Sequence, residues 1–143
     1  MTDADAVADR VSDPPPDDSE VFSVPIDAPQ PSQLYLNGLK LSFVTQWFDF
    51  ANPNYDPLPV RRIGGDWTLT DGHTRAFVAS LSGADELRVV RDTDDLPMDV
   101  YRACVRWCDE EGVTEIADLA GRVVNHEDFE EKWVERCQAF ADR

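Results

Sequence analysis

The residues best suited to chemistry in this chain lie together at positions 71–79, in the segment DGHTRAFVA. His73, Thr74 and Arg75 bring an imidazole, a hydroxyl and a guanidinium to the predicted start of a helix. The first turn of a helix offers backbone N–H groups without intrahelical partners, together with partial positive charge. Gly72 precedes that turn, and glycine allows a sharp corner or the close approach of a ligand. The spacing predicts an anion site, and these residue types suit a phosphate.

Each residue of the motif has an expected role. Gly72 would let backbone N–H groups face the anion, and Arg75 would bind phosphate oxygens in a bidentate manner. Thr74 would donate a hydrogen bond, and His73 would donate one or act as an acid or base. Asp71 would hold His73 or Arg75 in place, act as a base, or bind Mg²⁺ beside a nucleotide. The structural alternative makes Asp71 a helix N-cap, His73 a surface residue and Arg75 an ion-pair partner.

A two-strand ribbon is predicted to position the motif. Leu58–Ile63 reads as a strand, Gly64 and Gly65 are typical of a tight hairpin turn, and residues 67–70 read as the returning strand. The motif helix then extends to about residue 82, and Gly83 is the predicted stop after it. This order places Gly72 at a corner between a strand and a helix.

The remaining elements indicate an α+β fold. Strands are predicted at 21–26 and 87–90, and a helix capped by Asn37 lies between the first strand and the ribbon. The apolar residues of this helix share one face at helical spacing: Leu39, Phe43, Trp47 and Phe48. Helices are expected at about 98–111, 115–121 and 127–142, with Thr114 and Asn125 as candidate N-caps. We therefore expect a disordered acidic tail (1–20), an α+β core (21–95) and a C-terminal helical extension packed on that core (96–143).

The charge of the chain limits its partners. The formal net charge is −16 over 143 residues, and Lys40 and Lys132 are the only lysines. Such acidity is typical of the solvated surface of a halophilic protein, because high salt screens repulsion between carboxylates. The alternative is an acidic face that mimics nucleic acid or binds a basic partner. DNA binding is unlikely on this charge, although a local arginine cluster at high salt stays open. No membrane-spanning run or signal segment is found, so a cytoplasmic protein is expected.

The motif resembles the signature of the ParB/sulfiredoxin-like superfamily, in which a strand, a glycine turn and a helix carry a G-x-x-R core. Here that core is residues 72–75, followed by Ala76 and Ala79 as small residues for helix packing. The resemblance covers about residues 21–91 and implies a small mixed sheet with packed helices. It also implies a phosphate-binding corner. The letters are most similar to the D-G-H-H-R form of the free-serine kinase branch, with Thr74 in place of the second histidine.

Departures from that superfamily narrow what the resemblance implies. Sulfiredoxins carry a reactive cysteine at the position of His73, which excludes their reaction here. Partition proteins add a DNA-reading domain and basic surfaces, and neither is evident in this sequence. The kinase branch uses an early acidic residue as its base, and Asp27 is the only acid in that region outside the tail. If the protein is catalytic, Asp71 or His73 is the other candidate base.

Two further groups of residues were weighed as parts of a site. Ser32, Gln33 and Tyr35 follow the first strand as a second candidate wall of the pocket, although turn chemistry also explains them. The cysteines at 104, 108 and 137, with His126, invite a zinc site. The apolar periodicity of the two helices favours buried thiols that fill packing space instead, so no protein-bound zinc is predicted.

The sequence thus predicts a ParB/sulfiredoxin-like protein that binds a phosphate-bearing small molecule. A nucleotide with Mg²⁺ is the leading candidate ligand, and phosphotransfer is one activity that the resemblance implies. The alternative is a non-enzymatic regulatory or partition-related module, with a protein partner bound through the C-terminal helices.

Overall fold

A four-stranded mixed sheet and a two-stranded parallel sheet organise the protein. The computed structural model describes residues 20–143, so the predicted acidic tail, apart from Glu20, lies outside the described residues. In chain order the elements are β1 (Phe22–Pro25), β2 (Leu36–Asn37), α1 (Gly38–Trp47), β3 (Leu58–Ile63), β4 (Asp66–Leu69), α2 (His73–Leu81), β5 (Glu86–Arg91), α3 (Met98–Glu110), a 3-10 helix (Ile116–Leu119), β6 (Val123–Val124), α4 (His126–Phe129), a π-helical turn (Glu130–Val134) and α5 (Glu135–Ala141).

The main sheet has the strand order β1-β5-β3-β4. β3 and β4 pair antiparallel, with Val60 opposite Leu69, which confirms the predicted ribbon. Gly64 and Gly65 join these strands at φ values of 65° and 93°, a conformation that glycine adopts without steric cost. β5 pairs parallel with β3 and antiparallel with β1. The α2 helix connects β4 to β5, so the motif lies at the end of the ribbon.

Alternating apolar residues bury one face of this sheet. Leu58 and Val60 in β3 and Leu87 and Val89 in β5 are fully buried, as strand periodicity requires. The α2 helix adds a continuous buried run at 76–79. Strands and helices share one hydrophobic cluster, and the fold is a small α+β domain.

The helices after residue 96 contribute to the same cluster. Cys104 and Cys108 from α3, Ile116 and Leu119 from the 3-10 helix, and Trp133 from the π-helical turn are all buried in it. The predicted helix at 115–121 is instead the short 3-10 helix. Its N-cap is Glu115 rather than Thr114, since Glu115 and Asp118 form a reciprocal capping box. Asn125 caps α4 as expected, accepting from the backbone N–H of Asp128 at 2.8 Å.

The first helix differs most from expectation. Asn37 caps α1 through its side chain, as predicted. Leu39, Phe43 and Trp47, however, are 52%, 60% and 52% exposed, whereas Val44 and Phe48 are buried. The apolar residues at four-residue spacing therefore form an outer ridge, and the helix packs through an adjacent face. No helix within residues 20–143 is long and apolar enough to cross a membrane.

Candidate functional site

The corner between β4 and α2 is built around Gly72. This residue is the N-cap of α2, with φ of 75° and ψ of 22°, and its N–H donates to the Asp71 carboxylate at 2.8 Å. A Cβ added at Gly72 would lie 2.8 Å from Leu58 Cδ2 and 2.9 Å from Arg75 Nη2. The corner therefore requires glycine for two reasons, its left-handed backbone and its lack of a side chain.

Arg75 folds back over this corner. The 2.9 Å separation between its Nη2 and a Cβ built on Gly72 places the guanidinium directly beside the glycine backbone. Its Nη1 donates to the Asp56 carbonyl at 3.3 Å, and the side chain is partly exposed. Among the described residues, the polar contact of this guanidinium is thus with a carbonyl and not with a carboxylate. A guanidinium has five N–H donors, and a single hydrogen bond to a carbonyl leaves the others able to bind an anion.

His73 lies on the other side of the same turn. It is only 3% exposed, and its Nε2 accepts a hydrogen bond from the backbone N–H of Ser32 at 2.9 Å. Burial lowers its pKa to about 4, and the positive charge of Lys40 adds to this effect against the opposing charge of Asp71. At neutral pH the imidazole is therefore neutral. Because Nε2 accepts, the proton resides on Nδ1.

The motif is therefore divided between surface and interior. Asp71 is exposed and Arg75 partly so, whereas His73 and Thr74 are each only 3% exposed. Asp71 is not the N-cap of the structural alternative, because Gly72 occupies that position. Arg75 and the first-turn N–H groups form the part suited to an oxyanion, whereas the Gly72 N–H is already bound to the Asp71 carboxylate. The assignments of Asp71 and His73 as catalytic residues, and of residues 72–75 as phosphate ligands, stay predictions.

A cavity of about 250 Å³ lies beside His73, between the corner and the C-terminal helices. Its polar lining comprises Ser32, Gln33, Thr70, His73 and Tyr101. The Tyr101 hydroxyl donates to the Thr70 carbonyl at 3.1 Å and so joins α3 to the corner. Sequence reasoning placed Ser32 and Gln33 near a pocket but missed Tyr101. Only its polar tip within an otherwise apolar helix stripe could have indicated a site.

Two thiols complete one wall of this cavity. The Sγ atoms of Cys104 in α3 and Cys137 in α5 are 3.9 Å apart. The hydrogen bond between them lowers the pKa of Cys137 and raises that of Cys104, while burial raises the pKa of Cys108 to about 12. His126 lies elsewhere, with its Nδ1 2.9 Å from the amide nitrogen of Asn37. Within residues 20–143, no group of three His, Cys, Asp or Glu residues is arranged to hold a metal ion.

The other predicted positions have ordinary structural contacts. Gln33 donates to the Tyr35 carbonyl at 2.8 Å. Asp27 is exposed just beyond β1. Its predicted role as a base has no supporting contact among the described residues.

Comparison with known proteins gives weak structural similarity to solved proteins. No protein-family model matches the chain, and no curated protein matches it. A solved structure, protein Atu1540 from Agrobacterium tumefaciens, is similar with a TM-score of 0.41 and 16% identity, over 66% of this chain. The matched part is 49% of that protein, so the chain spans about half its length. The ParB/sulfiredoxin-like resemblance therefore stays a prediction.

Proposed function

We propose that the protein binds a phosphate-bearing small molecule, with a nucleotide as the leading class, at the corner formed by residues 71–75. The observation that carries this proposal is the position of the Arg75 guanidinium against the backbone of Gly72. It lies at the N-terminus of α2, a nine-residue helix whose first N–H groups have no intrahelical partners. A guanidinium, free N–H groups and a helix dipole at one corner favour an oxyanion together.

The overall charge makes this local arrangement necessary. With a net charge of −16, the protein repels anions at long range. A phosphate can bind only where cations and N–H groups act at short range, or where salt screens the repulsion. Lys40, one of two lysines, lies close enough to the corner for its charge to lower the pKa of His73. Its positive charge therefore acts on the same helical turn that carries Arg75.

Phosphotransfer would use the exposed carboxylate of Asp71, either as a base or as a ligand of nucleotide-bound Mg²⁺. The neutral His73 is held by Ser32 and is a weak base, since its pKa is about 4. Turnover that depends on Asp71 and not on His73 would fit this division. The resemblance to the kinase branch supports phosphotransfer only by analogy.

The experiment titrates ATP, ADP, AMP and inorganic phosphate by calorimetry in molar KCl, where carboxylate repulsion is screened. Arg75→Ala should weaken binding by about 10- to 100-fold, the value of one or two charged hydrogen bonds. Arg75→Lys should recover part of the lost affinity, because lysine keeps the positive charge but lacks the bidentate geometry of the guanidinium. Arg106→Ala, which removes an exposed arginine on α3, is the matched control. Unchanged affinity in Arg75→Ala would refute the proposal.

A second candidate function is a non-enzymatic interaction module, and the ridge on α1 favours it. Leu39, Phe43 and Trp47 are each more than half exposed, and such contiguous apolar surface is typical of a protein-binding site. The acidity of the chain favours a partner whose apolar patch has a basic rim. Sedimentation of the wild type and of Phe43→Ser measures the oligomeric state and so distinguishes binding of a different protein from self-association. If the wild-type chain stays monomeric at high concentration, the ridge does not mediate self-association and is available to a different protein.

A further inference from the structure

His73, which lines the cavity, carries a buried donor that no group in residues 20–143 satisfies. His73 is only 3% exposed. Its Nδ1 atom is buried and has no hydrogen-bond partner among residues 20–143. Since Nε2 accepts from Ser32, Nδ1 carries the proton. A buried N–H group without an acceptor costs about 1–3 kcal/mol, so an acceptor is expected to reach it.

The rest of the polar lining offers acceptors. The Tyr101 hydroxyl donates to the Thr70 carbonyl at 3.1 Å. The Ser32 hydroxyl donates to the Leu69 carbonyl at 2.6 Å. Each hydroxyl proton is thus committed, and each oxygen keeps lone pairs for a donor. The cavity therefore combines the N–H donor of His73 with hydroxyl acceptors, beside the side-chain amide of Gln33. A carbonyl with a neighbouring N–H is the complementary group.

Charge and shape restrict the ligand further. No Asp, Glu, Lys or Arg is among the residues that line the cavity, and Val100, Pro97 and Trp133 provide an apolar wall. The charge of Asp71 acts on both His73 and Tyr101, which makes the cavity unfavourable for an anion. The volume of about 250 Å³ exceeds the about 150 Å³ that is known to hold a benzene ring. One substituted ring fits.

We infer that this cavity binds an uncharged planar ring bearing a carbonyl and an adjacent N–H, with the carbonyl oxygen accepting from His73 Nδ1. The ligand N–H donates to the hydroxyl oxygen of Tyr101 or Ser32. The ring lies against Trp133 and Val100. This site goes beyond the proposed phosphate site and does not require it, because Arg75 does not line the cavity.

Three probes test the chemistry: benzamide, benzoate and toluene. Benzamide should bind at least about tenfold more tightly than toluene, which lacks the carbonyl, or benzoate, which is charged. The two-bond ¹H–¹⁵N spectrum of the histidine rings should show a shift of His73 Nδ1 at saturating benzamide. His126, which is exposed and paired with Asn37, should not respond. Cys137 should be protected from iodoacetamide, since it lines the cavity.

Two variants separate the cavity from the corner. Cys137→Phe places a bulky side chain in the cavity from α5 and should abolish benzamide binding. Tyr101→Phe removes one acceptor and should weaken benzamide binding about fivefold. This variant tests the cavity if Cys137→Phe does not fold. Arg75→Ala should leave benzamide affinity unchanged even if it abolishes phosphate binding. An unshifted Nδ1 resonance at saturation, or equal affinity in Cys137→Phe, would show that benzamide binds outside the cavity and would overturn the inference.

Discussion

The two sides of the first turn of α2 have opposite chemistry. On the outer side, Arg75 is partly exposed and charged, and its donors lie beside the Gly72 backbone. On the inner side, His73 is buried and neutral, and its Nε2 is fixed by Ser32. Residues two apart on a helix are separated by about 200° because each residue turns about 100°. A motif that is contiguous in sequence is therefore divided into a charged surface and an uncharged cavity.

The largest expected effect concerns the inner side and comes from pH. His73 has a pKa of about 4 in the folded protein against 6.5 in an unfolded chain. Its contribution to stability is complete above pH 6.5 and is lost as the pH falls towards 4, because only the unfolded state binds the proton. The loss should approach roughly 3 kcal/mol. Urea unfolding of the wild type at pH 7 and pH 4.5 measures it.

The control for this prediction is the other histidine. His73→Gln should remove most of the difference between the two pH values, and His126→Gln is the matched substitution at an exposed histidine. An equal pH dependence in all three proteins would place His73 on the accessible side of the turn and break the comparison.

The next effect concerns the glycine that joins the two sides. Gly72→Ala should destabilise the protein by roughly 2 kcal/mol, through a left-handed backbone and contact with Leu58 and Arg75. Gly64→Ala also has positive φ but open space around it, and should cost about 1 kcal/mol. Thermal unfolding of both variants isolates the contribution of close packing. Equal losses would mean that neither Leu58 nor Arg75 packs against the corner.

A smaller effect is expected at the hydrogen bond between α3 and the corner. Tyr101→Phe removes the bond to the Thr70 carbonyl and should cost about 1 kcal/mol. Tyr35→Phe is the control, because its hydroxyl makes no hydrogen bond within residues 20–143. If denaturant unfolding gives both variants the same stability as the wild type, the cavity wall does not depend on this bond.

The smallest effect separates the two sides by their response to salt. Screening shortens the range of charge interactions from about 10 Å at 0.1 M to about 3 Å at 1 M salt. Between about 0.1 M and 1 M salt, the affinity for phosphate should therefore change by several-fold. The affinity for benzamide should stay within about twofold over the same change in salt. Calorimetry at both salt concentrations measures the contrast. Equal responses would argue that both ligands occupy one site.

Local signals in the sequence predicted much of this arrangement. The two glycines at 64 and 65 fixed the ribbon, and Asn37 and Asn125 identified two helix starts. These features depend on neighbouring residues, so a pattern can reveal them. Pairing of β2 with β6 could not be predicted, because each strand has two residues and they are separated by most of the chain.

The division of the site was also beyond the sequence. The imidazole of His73 resembles a surface ligand until Ser32, far away in sequence, is placed against it. Likewise, the ridge of Leu39, Phe43 and Trp47 has the spacing of a core face, yet those side chains are exposed. Burial depends on which elements pack together, and tertiary packing overrides helical periodicity in both cases.

The π-helical turn at Glu130–Val134 has a consequence for how the cavity can change in evolution. Such a turn accommodates one additional residue, which rotates everything after it by about 100° around the helix axis. Cys137 follows the turn and meets Cys104 across the cavity. Deletion of a single residue from the turn would direct a different side chain towards Cys104. The shape of this wall therefore depends on the number of residues in the helix as much as on their identity.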